Sequence, residues 1–189
     1  MDRNTKLLGG WGYVGAIVFG ILGGFMGPVG GILALAGAIV VLVAYFRAAN
    51  EFNRPAIRSN AVIALVLAIA AAVIFAVLVG ASVATLLLHH GEDGAAGFTG
   101  GMIAGGLIAW VLGIAASWFW YKASASLADA SGQNLFKTGG LLMFIGSITV
   151  IVFGVGGIVS LVGEIMQTIG FFGADEKTAD RPPAPGAAT

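Results

Sequence analysis

Apolar residues fill this chain in long runs, and polar residues gather in short clusters between them. The runs cover residues 7–26, 29–46, 61–88, 98 or 99 to 121, 137–153 and 158–172. Charge-free stretches of this kind predict transmembrane helices, which need roughly 20 apolar residues to cross the hydrocarbon core. The dipeptide Gly27-Pro28 marks a tight turn between the first two. A polar loop is expected at 47–59, holding Arg47, Arg54, Pro55 and Arg58, with Ser59 or Asn60 as N-cap of the third helix. A short loop is expected at 89–97. The fourth helix is predicted to run past the membrane to Ala130, with Gly132 as its stop. The last two runs join at 154–157. The fold class is therefore all-α: a polytopic membrane domain over 1–173, six transmembrane helices arranged as three hairpins. The remainder, 174–189, ends in DEKTADRPPAPGAAT, which has too few apolar residues to bury a core and is expected to be disordered.

The first and third hairpins share a pattern. Setting 29–46 against 155–172 pairs Val29, Gly30, Gly31, Ile32, Leu35, Gly37, Ile39 and Phe46 with Val155, Gly156, Gly157, Ile158, Leu161, Gly163, Ile165 and Phe172. Upstream, Gly9, Gly10 and Gly15 correspond more loosely to Gly139, Gly140 and Gly146. Each hairpin begins and ends on the same side, so these are weak parallel repeats, unlike the inverted repeats of many transporters. One position breaks the match: Ala38 in the first copy is Glu164 in the second.

Composition agrees with the membrane reading. Hydrophobic residues make up 58% and charged residues 10% of 189, against roughly 25% charged in soluble domains; the mean hydropathy is +0.98. A formal net charge of zero gives no pull toward nucleic acid. The absence of cysteine excludes disulfides, thiolate metal sites and a cysteine nucleophile. A cleaved signal peptide is not expected, because no small-residue cleavage site and hydrophilic domain follow the first run. Arg3 and Lys6 precede the first run, Arg47, Arg54 and Arg58 sit between the second and third, Lys122 and Lys137 between the fourth and fifth, and Lys177 and Arg181 in the tail. Six spans put all of them on one side, which the positive-inside rule makes the cytoplasm, with both termini there and the protein in the cell (plasma, or inner) membrane. Trp11, Tyr13, Tyr45, Phe46, Trp118 to Tyr121, Phe171 and Phe172 fall near that side and read as an interfacial aromatic belt, the alternative being an aromatic ligand cage.

The 31 glycines and many alanines are ordered. Small residues recur at every fourth position: Gly12, Ala16, Gly20 and Gly24 in the first helix, Ala64, Ala68, Ala72, Ala76, Gly80 and Ala84 in the third, and Gly101, Gly105, Ala109, Gly113 and Ser117 in the fourth. That spacing lines one helix face and lets backbones approach, against the same chain or a second copy.

Glu164 is the one charged residue inside a predicted span, and burying its charge at mid-bilayer costs about 3 kcal/mol or more. Ser160, Gln167 and Thr168 share its helical face, so the four make a possible intramembrane polar site. The functional reading is a proton or cation site, or one wall of a polar pathway. The structural alternatives are a protonated carboxyl bonded to a neighbouring helix, or a helix lying shallow at the interface. His89, His90, Glu92 and Asp93 cluster outside the spans, at a spacing that matches no metal motif. Paired glycines lack the lysine of a phosphate-binding loop, and no serine has a histidine and acid placed for nucleophilic catalysis. No cofactor or metal is expected, and no enzymatic activity.

From Trp118 to Phe172, the run YKASASLADASGQNLFKTGGLLMFIG, its following glycine break and the closing IGFF carry a resemblance. Lys122, Ser124, Leu135-Phe136-Lys137, Gly139-Gly140, Gly146 and Phe171-Phe172, with the glycine-rich first hairpin and its basic loop, are similar to the prokaryotic integral-membrane family catalogued as domain of unknown function 996. The resemblance implies six spans and carries over no activity, ligand or catalytic residue. Sparse polar residues and abundant small-residue faces favour a non-enzymatic scaffold or accessory subunit, partnered by the lipid bilayer and by a second copy or a larger membrane complex. The alternative is a small ion or proton channel or transporter using Glu164.

Overall fold

The computed structural model describes residues 1–26, 28–88, 92–150 and 155–175. Among these the chain is wholly helical: α1 (Arg3–Met26), α2 (Pro28–Glu51), α3 (Pro55–Leu88), α4 (Glu92–Ser131), α5 (Asn134–Thr149) and α6 (Val155–Gly173). Five of the six are long and apolar enough to cross a membrane. The exception is α5, whose 16 described residues rise about 24 Å, short of a roughly 30 Å hydrocarbon core; 151–154 lie outside the described residues.

The helices run further than the polar clusters suggest. The expected loop at 47–59 shrinks to 52–54, because Arg47 to Glu51 continue α2 and Pro55 opens α3. Charged side chains beyond the bilayer are hydrated and do not stop a helix; a residue accepting left-handed backbone does. That residue is Asn53, at φ 50°. Around it Asn53 N–H donates to the Asn50 carbonyl at 3.2 Å and Arg54 N–H to the Ala49 carbonyl at 2.9 Å, a Schellman closure. Pro28 and Pro55 each stand at a first helical position, where the missing N–H costs nothing. Ser59 is therefore not an N-cap; inside α3, its hydroxyl donates back to the Ala56 carbonyl. Of the expected loop 89–97, residues from Glu92 on already belong to α4, while His89, His90 and Gly91 lie outside the described residues. Gly132 does stop α4, with φ 76° and its N–H on the Ala128 carbonyl at 2.8 Å.

Three hairpins, α1/α2, α3/α4 and α5/α6, make the most extensive contacts, and α2/α3, α4/α5 and α6/α1 contacts close them into a ring. Backbones meet where glycines face each other. A Cβ on Gly163 would stand 2.6 Å from the Gly139 carbonyl oxygen and 2.9 Å from the Met143 nitrogen. In α1/α2 a Cβ on Gly37 would stand 3.0 Å from the Gly12 carbonyl oxygen and 3.0 Å from Ala16 Cα. The same crossing thus recurs in both hairpins, with Gly12 in the place of Gly139. Gly9 and Gly10, the expected counterparts of Gly139 and Gly140, lie instead against the rings of Phe171 and Phe172 and bring α1 onto α6.

The main core lies at the end that carries Arg47, Arg54 and Lys137, here called the basic end. It joins Tyr13, Tyr45, Ala48, Ile57, Leu127, Phe136 and Phe171 from all six helices. Phe171 is its hub, edge-on to Phe136 at 4.8 Å and to Tyr45 at 5.8 Å. Rings of this size bring much of the buried area and prefer such edge-to-face contacts. The expected aromatic belt therefore divides. Trp11, 63% exposed, and Phe172 face outward, whereas Tyr13, Tyr45 and Phe171 plug the interior. Beyond α6, Ala174 is buried and the Asp175 carbonyl accepts a hydrogen bond from the Met1 ammonium at 2.8 Å. Residues 176–189 lie outside the described residues.

Candidate functional site

Just inside the aromatic core, all six helices surround a cavity of about 430 Å³. Its wall is mostly apolar, with Ala38, Val41, Ala64 and Met143 among its residues. The polar residues in that wall are Tyr13, Ser117, Trp120, Ser147, Ser160 and Glu164. The volume falls within the roughly 300–1,000 Å³ of small-molecule sites, and so does the pattern of few polar groups in an apolar wall.

The floor, toward the basic end, is built in two steps. Trp120 Nε1–H donates to the Tyr13 hydroxyl at 3.1 Å, and the Trp120 ring packs on Tyr45 with centroids 4.7 Å apart. Below them the Tyr45 hydroxyl donates to Gln167 Oε1 at 3.0 Å and lies 2.8 Å from Ser124 Oγ. Gln167 Nε2 donates to Ser124 Oγ at 2.9 Å and to the Phe136 carbonyl at 3.1 Å. Gln167 is fully buried, so each polar atom of its amide is used on α2, α4 or α5. On the side wall, the Ser117 and Ser147 hydroxyls are 2.6 Å apart and bridge α4 to α5.

Glu164 is half-buried at mid-helix in α6, and among the described residues its carboxylate makes no hydrogen bond or ion pair. It is the one charged side chain in the cavity wall. Ala38, its counterpart in the first hairpin, lines the same cavity. The four residues expected to form one polar stripe are thus divided by the structure. Ser160 and Glu164 face the cavity, Gln167 lies in the floor, and the Thr168 hydroxyl donates to the Glu164 backbone carbonyl at 2.9 Å.

The small residues divide too. Gly12 and Ala16 meet α2, while Cβ atoms on Gly101 and Gly105 would meet Ser82 and Leu78 of α3. Ala109 is partly buried, and Gly20, Gly80 and Gly113 have, among the described residues, no heavy atom within 4 Å of a Cβ position. Ala72 and Ala76 are exposed, turned away from the other helices of this chain. The surroundings of Gly24 lie outside the described residues. Of the other polar wall residues, Ser147 was not singled out by the sequence, Ser117 only as part of a small-residue face, and Tyr13 and Trp120 chiefly as members of the aromatic belt. Trp11 and Tyr13, two residues apart, must point to nearly opposite helix sides, which was the available signal that one of them faces inward.

Helices apolar enough to span a membrane, closed into a ring around a cavity with one carboxylate, define a small polytopic helical membrane protein. The chain belongs to the family described as "Protein of unknown function (DUF996)", which matches residues 33–165. It is also 31% identical over 173 residues to the "Uncharacterized protein MJ1644" of Methanocaldococcus jannaschii, covering 90% of this chain and 91% of that protein. No solved structure matches the chain.

Proposed function

We propose that this protein is a non-enzymatic channel or carrier that takes a positively charged solute into its central cavity, with Glu164 as the counter-charge. One observation carries the reading: the single carboxylate in the wall of a six-helix cavity makes no hydrogen bond or ion pair among the described residues. An ionisable group inside a membrane is retained where it faces water, a partner or a substrate. A structural strut would be bonded, as Gln167 is. The test is flux of inorganic and organic cations into vesicles holding the full chain. The expected result is a protein-dependent cation flux that falls about tenfold in Glu164→Gln, since tenfold corresponds to about 1.4 kcal/mol and a charge pair about 4 Å apart is worth about 1 kcal/mol in water and about 4 near a protein surface. No protein-dependent flux of any cation would return the protein to the class of scaffolds.

That second reading, a scaffold or accessory subunit that packs on a second copy or a larger complex, is favoured by Ala72, Ala76 and Gly80. They form an exposed small-residue face that, among the described residues, no other helix covers. Mass measurement in mild detergent separates monomer from oligomer.

We place the protein in the cell membrane with its basic end and both termini cytoplasmic, on the one-sidedness of Lys and Arg. The chain has no cysteine, so single cysteines report topology directly. Ala96→Cys is expected to react with an impermeant thiol reagent in intact cells, and Asn50→Cys and Asn134→Cys only after permeabilisation. The reverse pattern overturns the orientation.

A further inference from the structure

Glycines in this bundle fall into two groups. At the crossings a methyl group has no room, as at Gly37, Gly139 and Gly163. On the facing sides of α1 and α6, Gly20 and Gly157 have, among the described residues, no heavy atom within 4 Å of a Cβ position. Both line a groove of about 280 Å³ between these helices. The groove is walled by Ile17, Ile21 and Leu161, and Ile21 is 57% exposed where lipid would stand. Three residues, Ala16, Ser160 and Glu164, line both this groove and the central cavity. At the basic end α1 and α6 are held together by Phe171 and Phe172 against Gly9 and Gly10. The ring is thus sealed there and thin from its one cavity carboxylate, at the middle of α6, toward the opposite end.

We propose that the α1/α6 groove is a lateral entrance through which an amphipathic organic cation, an ammonium group on an apolar body, passes from the lipid into the cavity, with Glu164 at the threshold. The proposal rests on the cavity being a cation site, and it names the class of cation. A bare metal ion asks for about six oxygen ligands, and the wall offers one carboxylate with hydroxyls, two of which, Ser117 and Ser147, are bonded to each other. An alkylammonium needs only a counter-charge and aromatic or apolar surface. Trp120 and Tyr13 supply rings whose faces attract such a cation, and the alanine, valine and leucine wall takes the apolar body. A molecule of this kind concentrates in the bilayer, which is what the outer, isoleucine-lined side of the groove faces.

The probe is hexyltrimethylammonium, added to the full chain in nanodiscs. Binding is followed by stopped-flow tryptophan emission, Trp120 being the indole in the cavity wall. Saturable binding is expected. Gly20→Leu and Gly157→Leu, on opposite walls, should each slow association about tenfold while the equilibrium affinity stays within about threefold, because they fill the passage and leave the cavity intact. Gly80→Leu, equally free of neighbours but outside the groove, should leave the rate unchanged. Glu164→Gln should weaken affinity about tenfold. If Glu164→Gln weakens binding but both leucine variants associate at the parent rate, the lateral entrance is overturned and the cation cavity stands. If inorganic cations cross in the flux assay while hexyltrimethylammonium does not bind, the amphipathic class is overturned. If no cation of either kind binds or crosses, the proposed function falls with it.

Discussion

Gly163→Ala is expected to destabilise the bundle by about 3 kcal/mol, the upper part of the usual range for overpacking. The added methyl would stand 2.6 Å from the Gly139 carbonyl oxygen and 2.9 Å from the Met143 nitrogen. Both are backbone atoms of a helix, so neither can swing aside as a side chain would; α5 and α6 must part along their length. Lipid provides no hydrophobic force to press them together again, and dispersion attraction at the close crossing is what holds them. Gly113→Ala is the matched control. It removes a glycine from the middle of α4 where no heavy atom of the described residues lies within 4 Å of the added Cβ, and, because alanine is the better helix former, it is expected to leave stability unchanged or raise it by up to about 1 kcal/mol. Unfolding of the full chain in detergent, by heat or by titration with a denaturing detergent, measures both. Equal stability of the two variants would remove the Gly139–Gly163 crossing from the account of what holds the hairpin.

These two glycines also show how far the sequence could be read. The spans were legible because hydrocarbon demands long runs almost free of charge, and so was the stop at Gly132; the starts at Pro28 and Pro55 were missed, one read as a turn and the other as loop, although proline suits a first helical position. Helix ends near charge were less legible: Arg47 to Glu51 look like loop, yet nothing in a hydrated charge ends a helix until Asn53 turns left-handed. Four-residue spacing identified small faces on α1, α3 and α4 but not which members touch a neighbour. Two helices cross at an angle and then diverge, so one or two positions of a face lie in contact while the rest open outward. Gly12 and Gly20 are of one type, on one face and two turns apart; the first meets α2 and the second meets nothing. Glu164 could be singled out as the lone charge in a span. Its surroundings could not, since the cavity exists only because six helices meet around it.

Gln167 and Glu164 sit one turn apart on one face of α6, and opposite outcomes are expected from removing them. Gln167→Leu should cost about 1–3 kcal/mol, because a fully buried amide that serves three helices is removed and its partners are left short. Pairwise hydrogen bonds within membranes average only about 0.6 kcal/mol, so the larger figure depends on the network acting as a unit. Tyr45→Phe tests that directly: it keeps the ring against Trp120 and removes only the hydroxyl that reaches Gln167 and Ser124. If the network is cooperative, the double variant will cost clearly less than the two single costs added together. Glu164→Ala, by contrast, puts into α6 the residue that α2 already carries at the matching Ala38. It removes a carboxylate with no hydrogen bond among the described residues and is expected to leave stability unchanged or slightly raised, with burial of a charge relieved. Should Glu164→Ala destabilise the protein as much as Gln167→Leu, the carboxyl is a structural strut and the cavity loses its counter-charge argument. Should Gln167→Leu be silent, the floor is held by its rings alone, with Phe171 and Tyr45 carrying what the amide was assigned.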